Sequence, residues 1–270
     1  MKINFNKISA GYRKYILKQR ISKGIIISIQ ILLLILMITL WELLAKLEII
    51  DTFITSSPSK IITELKRLFS DNFTHHIMVT FTESMIAFLI ATIGGTIIAI
   101  ILWWSEFLRK ILDPYIVVLN SLPKIALGPI IIVWFGIGTT PIIVMAILIM
   151  IVITIISMLN AFTSCDENKI LLLKSMGANK LQILLKLILP NALLEFVSVL
   201  KINVGLTWVG TIMGEYLVSR AGLGHLIVYG GQVFNLDLVM ASTITLCTLA
   251  SIMYFIVIAL EKIIIKHLEN

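Results

Sequence analysis

Long apolar runs separated by short polar segments dominate this chain. Gly24 to Trp41 contains no charged residue, and Ile125 to Cys165 contains none in 41 positions. A helix needs about 20 mostly apolar residues to cross a bilayer. The pattern therefore predicts an all-α membrane protein with six transmembrane helices. We place them at about 24–45, 78–104, a third beginning near 114, 141–161, 192–217 and 238–260.

The polar segments between these runs predict the organisation of the chain. A basic amino-terminal segment, a first span, an external segment with an interfacial helix, a core of five spans and a short tail follow one another. Their predicted bounds are 1–23, 24–45, 46–77, 78–262 and 263–270. Within the core, residues 166–190 form a long polar interruption, which we call the 166–190 loop.

Composition and charge agree with this architecture. The chain has 270 residues, of which 59% are hydrophobic and 14% are charged, whereas a soluble domain keeps about a quarter charged. With the amino terminus in the cytoplasm, 15 Lys and Arg residues fall inside and five outside. This is the asymmetry of the positive-inside rule. It predicts cytoplasmic amino and carboxyl termini and explains the net charge of +7 without nucleic acid.

Catalytic and metal-binding patterns are missing from the sequence. It has no phosphate-binding loop of the form G-x-x-x-x-G-K-[ST]. Its four histidines lie in three separated places, and its two cysteines, Cys165 and Cys247, lie far apart. We expect no enzyme activity, no cofactor and no metal. If the protein moves a solute, the energy must come from elsewhere.

The 166–190 loop is the most informative segment. Asp166 to Lys169 is polar, Ile170 to Met176 is largely apolar, Gly177 interrupts, and a second helical run leads to Pro190. The pattern predicts two short helices joined by a left-handed turn at Gly177, with Pro190 starting the next segment. A plain solvated connector is the alternative, but such a connector would not carry these apolar side chains.

Within this loop the sequence resembles the cytoplasmic "EAA" signature of ABC importer permeases. The signature is Glu-Ala-Ala, three residues, Gly, nine residues and then Ile-x-Leu-Pro. Gly177 and the run Leu187–Pro190 fit its spacing. Leu171, Leu172 and Leu173 occupy the Glu-Ala-Ala place, so the acidic residue is missing.

Further stretches resemble the permeases that import sulfonates, taurine, nitrate and related small ions. Together they cover roughly residues 38–262. Glu83 departs from the pattern, because the family commonly has a basic residue there. The matching stretches are Trp41–Ala45, Ser57–Ser59, Leu122–Pro129, Trp134–Gly138, Gly205, Glu215 and Gly222–Gly224.

The resemblance implies a type I ABC importer (MetI-like) permease fold in a bacterial inner membrane. It implies the membrane-spanning subunit of an ATP-driven, binding-protein-dependent importer of a small organic or inorganic anion or a vitamin-like solute. The implied partners are two ATPase subunits, a second copy of this chain and an external solute-binding protein. The residues implied for coupling to the ATPase are Leu171, Leu172, Leu173, Met176, Gly177, Ala178, Leu189 and Pro190.

A second set of residues is expected along the translocation path. A lysine at membrane depth is costly without water or a partner, so Lys124 either reaches the interface, lines the path or forms a structural ion pair. Lys201 and Glu195 share no helix face, so we expect the partner of Lys201 on another span or chain. Pro123 and Pro129 favour a broken or kinked third span. Gly205, Gly210 and Gly214 of the fifth span permit close helix approach and indicate pore lining, contact between copies or ordinary packing. The residues of this set are Pro123, Lys124, Pro129, Lys201, Gly205 and Glu215.

Two rival functions stay open from the sequence. A secondary transporter driven by an ion gradient would need acidic residues within the membrane, for which Glu83, Glu195 and Glu215 are the candidates. A membrane scaffold without a solute would not need Lys124 or Pro129 at membrane depth. Purification with an ATPase partner would distinguish both from the importer.

Overall fold

The structure is a computed structural model that describes residues 10–268, with side-chain detail from Ile21 to Ile265 except at Lys23. The predicted basic segment 1–23 and tail 263–270 lie largely outside these side chains, so their cytoplasmic placement stays a prediction. Every regular element in the described range is helical. The helices are α1 (Ala10–Lys46), α2 (Thr52–Thr55), α3 (Pro58–Phe69), α4 (Phe73–Trp104), α5 (Glu106–Ser121), α6 (Gly128–Phe135), α7 (Thr139–Thr163), α8 (Glu167–Ser175), α9 (Lys180–Ile183), α10 (Leu189–Val218), α11 (Leu223–Gln232) and α12 (Leu236–Leu268).

The chain divides into two compact units, residues 1–64 and 65–270. In the first unit, α1 continues past its apolar stretch to Lys46, which pairs with Glu42 at 3.2 Å. The same Glu42 carboxylate accepts a hydrogen bond from the backbone N–H of Ser59 at 3.1 Å, at the start of the predicted interfacial helix α3. These contacts fix the loop between α1 and α3.

Five helices of the described residues are long and apolar enough to cross a membrane, and a bent helix pair makes a sixth if the two helices are taken as one span. The five are 24–46, 73–104, 139–163, 180–218 and 236–265. The third predicted span consists of α5 and of 124–135, which meet at 87°. Leu122, the residue before Pro123, is extended (φ −66°, ψ 137°), because the proline ring disfavours helical geometry at the preceding residue. The expected break at Pro123 is therefore a sharp bend.

The fifth span differs from its prediction. Pro190 lies in the first turn of α10, but no break separates that helix from the loop. Instead, α9, a π-helical turn over Leu184–Ile188 and α10 form one helix over 180–218. Proline lacks an N–H and its ring crowds the preceding turn, and a wider π turn at this place accommodates both.

The centre of the second unit is a bundle in which α7 packs against both α4 and α10. Glycines allow the closest approach. A Cβ atom on Gly210 would lie 2.5 Å from the Cα of Ala146, and one on Gly214 would lie 2.9 Å from the Cα of Ile142. Small residues four apart are typical of helix contacts in membranes. Two of the three glycines expected to allow close approach thus do so, against α7.

Polar residues four apart on α10 form a buried stripe that faces α4 and α7. Asn203 donates to Thr92 and to Thr154, each at 2.9 Å. Eight residues further along α10, the hydroxyl of Thr211 shares a hydrogen bond with the hydroxyl of Ser84 at 3.1 Å. Hydrogen bonds between membrane helices each contribute about 0.6 kcal/mol on average. The stripe therefore sets the register of the helices more than it stabilises them.

Candidate functional site

The first helix of the 166–190 loop is capped at both ends by the chain itself. The Asp166 side chain accepts from the backbone N–H of Asn168 at 2.9 Å, which caps the start of α8. At its other end, Gly177 has φ +81°. Its N–H donates to Lys174 O, and the N–H of Ala178 donates to Leu173 O, both at 2.9 Å. These two bonds form a Schellman motif, so the predicted left-handed turn is present.

The second helix of the loop begins with a capping box. The Asn179 side chain accepts from the N–H of Gln182, and the Gln182 side chain accepts from the N–H of Asn179, both at 2.8 Å. Only one residue, Ala178, separates this cap from Gly177. Because these caps fix the backbone where the first helix ends and the second begins, the loop holds its two helices in a defined geometry.

Lys180 ties the loop to the end of α4. Its ammonium donates to the carbonyl of Trp104 and lies 5.6 and 5.5 Å from ring centroids of Trp103 and Trp104. The positive charge is attracted by the faces of the aromatic rings, and it is also favourable at the carboxyl-terminal end of the α4 helix dipole. Nothing in the local sequence pattern indicates this tether, because Lys180 and Trp104 are 76 residues apart.

The predicted coupling residues separate into two faces of α8. Leu173 and Ala178 pack against a core cluster that includes Phe162 and Ile183. Leu171, Leu172 and Met176 are instead 63%, 61% and 74% exposed. One apolar face of α8 therefore packs against the core and anchors the helix, while the other apolar face is exposed. Leu189 also packs against the core cluster, and Pro190 is exposed.

Lys124 lies just after the bend of the broken span. Its ammonium donates to the carbonyl of Asn120 at 3.1 Å, in the last turn of α5, where a positive charge is favourable. The following helix α6 starts with Pro129 in its first turn. Gly128 allows α6 to approach the bundle, since a Cβ there would lie 2.6 Å from Leu217 Cδ1. Gly128 lies within the matching stretch Leu122–Pro129, but the sequence did not predict this close approach.

Lys201 has the partner that we expected on another span. Its ammonium lies 2.6 Å from Glu261 of α12, and both side chains are about a quarter exposed (28% and 26%). The pair joins α10 to α12, and the Glu261 carboxylate balances the positive charge of Lys201. On the same helix, Gly205 is exposed and a Cβ there would have nothing within 4 Å. This face of α10 is free of contacts in the described chain.

Glu215 lies at the far end of the bundle from the 166–190 loop, in a cradle of donors. Thr80 Oγ1 donates to its carboxylate at 2.6 Å, and the N–H of Gly224 donates to its other oxygen. A Cβ on Gly222 would lie 2.3 Å from Oε1, and one on Gly224 2.6 Å from Oε2. The absence of a side chain at Gly222 and Gly224 therefore leaves the space that this carboxylate occupies. The backbone φ of +116° at Gly222 also requires glycine at this position.

Glu83 lies beside Glu215 and is only 2% exposed. Its Oε2 atom is buried and finds no hydrogen-bond partner in the described residues. Within residues 21–265, neither glutamate forms an ion pair. We call Thr80, Glu83, Glu215, Gly222 and Gly224 the carboxylate cluster. Sequence reasoning noted Glu83 only as a departure, because nothing in the sequence places it next to Glu215.

The structure therefore groups the predicted residues differently from the sequence. The coupling residues come together at one end of the bundle. The residues expected along the path are dispersed: Lys124 caps α5, Lys201 pairs with α12, and Glu215 belongs to the carboxylate cluster.

The family of the chain follows from comparison with known proteins. A family profile described as "Binding-protein-dependent transport system inner membrane component" matches residues 91–270. The match covers the bundle from the second half of α4 onward, including the 166–190 loop and α10.

Curated relatives cover most of the chain. A probable ABC transporter permease protein of Haemophilus influenzae is 28% identical over 225 residues, which are 81% of this chain and 89% of the relative. The taurine transport system permease protein TauC of Escherichia coli is 28% identical over 232 residues, 84% of each chain. The formylaminopyrimidine transport permease protein ThiX of Halalkalibacterium halodurans is 26% identical over 72% of this chain and 77% of its own.

A solved structure has the same fold. A chain of the MetNI methionine ABC transporter, in an inward-facing conformation, superposes with a TM-score of 0.61 at 20% sequence identity. The superposition covers 71% of this chain and 95% of the other. The all-helical bundle thus has the MetI-like permease fold. The chain belongs to the family of inner-membrane components of binding-protein-dependent transport systems and is a multi-pass permease subunit of an ATP-driven importer.

Proposed function

We propose that the 166–190 loop is the site at which ATPase subunits dock on this permease and drive it. The loop lies on the cytoplasmic side, together with both chain termini. The observation that carries the proposal is the two-faced helix α8. Its inner face packs into the core while Leu171, Leu172 and Met176 are exposed.

The loop has the stiffness that a mechanical contact needs. Caps close both of its short helices, and Lys180 fixes its second helix to the end of α4. Since the same helix continues without a break into α10, a displacement of α8 would reach the buried stripe of the bundle. Leu189 and Pro190 lie on this route.

Two copies of the chain would form the translocation path, with the open face of α10 around Gly205 at or near their contact. Pro123, Lys124 and Pro129 would line the path at the bend, and Lys201 would support it through its pair with Glu261. An external binding protein would deliver the solute. The chain itself would catalyse no reaction, because ATP hydrolysis belongs to the partner.

The solute class is that of the curated relatives, small sulfonated or vitamin-like molecules. TauC is named for taurine and ThiX for formylaminopyrimidine. A sulfonate, taurine, nitrate or a vitamin precursor is therefore proposed here as cargo.

A double substitution tests the docking surface. We expect Leu171→Ala with Leu172→Ala to leave the protein folded in the membrane, since both side chains are exposed, but to abolish co-purification of the ATPase subunit. The measurement is affinity purification of the tagged chain, with quantification of bound ATPase.

Leu32→Ala with Leu33→Ala is the matched control, because this pair is also exposed (66% and 54%) and lies in α1. The control should retain the ATPase. Equal ATPase recovery from both double variants would refute docking at α8.

A further inference from the structure

A charged pocket lies on the core-facing side of the 166–190 loop, where Ile170 and Ala178 form part of its wall. The exposed residues Leu171, Leu172 and Met176 do not line it. The pocket has a volume of about 390 Å³ and is partly open to its surroundings. Since a water molecule occupies about 30 Å³ of liquid, there is room for a small polar group of several non-hydrogen atoms.

Three basic residues from three different helices line this pocket: Arg109 of α5, Lys174 of α8 and Lys180 of α9. Arg109 is half-buried, and within residues 21–265 neither Arg109 nor Lys174 forms an ion pair. Lys180 donates to the carbonyl of Trp104, but an ammonium has three N–H donors and can bind a further acceptor. Positive charges that lack acidic partners favour an anion between them.

Two acids also line the pocket and limit the negative charge that it accepts. Glu106 forms an ion pair with Lys110 at 3.0 Å, so a lysine outside the pocket balances its charge. Glu167 lies in the first turn of α8, where the helix dipole favours a negative charge. Three basic residues against one unbalanced acid leave a modest positive excess, which suits a singly charged anion.

The pocket lies where three helices of the bundle begin or end. Helix α4 ends at Trp104, α5 begins at Glu106 and α7 ends at Thr163, and Trp103 and Thr163 line the pocket. Tryptophan is enriched at the headgroup level of a bilayer. Trp104 and Phe107, next to pocket residues in the sequence, are 42% and 77% exposed. They offer an apolar surface to the acyl chains of a lipid.

We propose that this pocket binds the phosphodiester headgroup of an anionic phospholipid. Arg109 and Lys174 would contact the phosphate oxygens, since a guanidinium matches the geometry of a phosphate, and Lys180 would donate a further hydrogen bond. The lipid would join α5 to the 166–190 loop. A soluble phosphate ester carries the same oxygens but has no acyl chains to place against Trp104 and Phe107. This site is separate from the proposed docking surface for the ATPase.

Native mass spectrometry of the chain with its ATPase partner tests the site. The complex is delipidated in detergent and titrated with dioleoylphosphatidylglycerol or with dioleoylphosphatidylcholine, which has the same chains but no net charge. We expect phosphatidylglycerol to bind about tenfold more tightly, because only its headgroup carries the net negative charge that basic residues attract. Glycerol 1-phosphate at the same concentration should not displace it, since it lacks the acyl chains.

Paired variants locate the bound lipid. Arg109→Gln with Lys174→Gln should weaken phosphatidylglycerol binding about tenfold, and Arg109→Lys with Lys174→Arg, which keeps both charges, should retain it. Lys169→Gln with Lys186→Gln is the matched control, because it removes two exposed charges of the same loop that do not line the pocket. Bound ATPase in the same spectra reports on folding and, independently, on the proposed function.

The opposite results would overturn the proposal. Equal binding of the two lipids to the unchanged chain, which needs no variant, would refute selection of an anionic headgroup. Displacement by glycerol 1-phosphate would indicate a soluble phosphate ester as the ligand. Equal weakening in both Gln pairs, or in neither, would show that the lipid is not held by Arg109 and Lys174.

Discussion

The two ends of α7 are built in opposite ways. At the Thr163 end, the 166–190 loop satisfies its own backbone through a Schellman motif and a capping box and exposes the apolar side chains of Leu171, Leu172 and Met176. At the Thr139 end, the carboxylate cluster buries two acids in close contact, and one oxygen of Glu83 has no hydrogen-bond partner among the described residues. The 25 residues of α7 separate these ends by roughly 37 Å.

The difference teaches how one bundle provides two kinds of surface. An end that docks a partner needs defined backbone geometry and an exposed face, and capped short helices provide both. The opposite end is closed by a buried carboxylate that has its own donors, Thr80 Oγ1 and the N–H of Gly224. The buried stripe of α10 runs from Asn203, in the middle of the helix, to Glu215 in the carboxylate cluster.

Alanine at two glycines of positive φ, Gly177 and Gly222, should give the largest contrast between the ends. Gly222→Ala places a Cβ 2.3 Å from Glu215 Oε1 in a left-handed conformation. We expect a loss of about 2–5 kcal/mol, from conformational strain and overpacking together. Gly177→Ala meets no atom within 4 Å and should cost only about 1–2 kcal/mol.

Free energies of unfolding of the purified variants would measure this contrast. Gly177→Asn is a control for the loop, since asparagine tolerates the left-handed conformation; it should be close to the unchanged protein. If Gly177→Ala were as damaging as Gly222→Ala, the loop would be held by tighter packing than its open surroundings indicate.

Removal of the Glu215 carboxylate should have the next largest effect. Glu215→Ala leaves Thr80 Oγ1 and the N–H of Gly224 without their acceptor. Each buried donor that loses its acceptor costs about 1–3 kcal/mol. Thermal unfolding should detect the loss, with Glu195→Ala as the exposed control.

An opposite result at this position would revise the cluster. A Glu215→Ala protein as stable as its control would mean that the two donors find other acceptors, and that Glu215 is not fixed in its cradle.

Loss of the Lys180 tether should have the smallest effect on stability and a clear effect on transport. Exposed cation–π contacts contribute about 0.5–1 kcal/mol, so Lys180→Gln should unfold at nearly the unchanged temperature. Because the loop would no longer be fixed to α4, ATP hydrolysis and solute uptake should become uncoupled. Lys180→Arg keeps the charge over the rings and should retain coupling. Full coupling in Lys180→Gln would show that the core face of α8 anchors the loop alone.

Much of the fold could be predicted from local sequence, and the chemistry at the Thr139 end could not. Apolar runs predicted the spans, Pro123 the break and Gly177 the turn, because each effect depends on a few neighbouring residues. The contact of Glu83 with Glu215 depends instead on the packing of α4 against α10, over a separation of 132 residues. The pairing of Lys201 with Glu261 and the π turn before Pro190 likewise depend on tertiary structure.

Cross-linking from the two ends of α7 tests most directly whether the 166–190 loop receives the ATPase. Met176→Cys and Ile137→Cys each place one new cysteine at a position that is 74% and 65% exposed, respectively. The exposed Cys247 is replaced by Ala, and the remaining Cys165 is buried. We predict that Met176→Cys forms a cross-link to the ATPase subunit in membranes and that Ile137→Cys does not. A cross-link to the ATPase from Ile137→Cys, with none from Met176→Cys, would contradict the account.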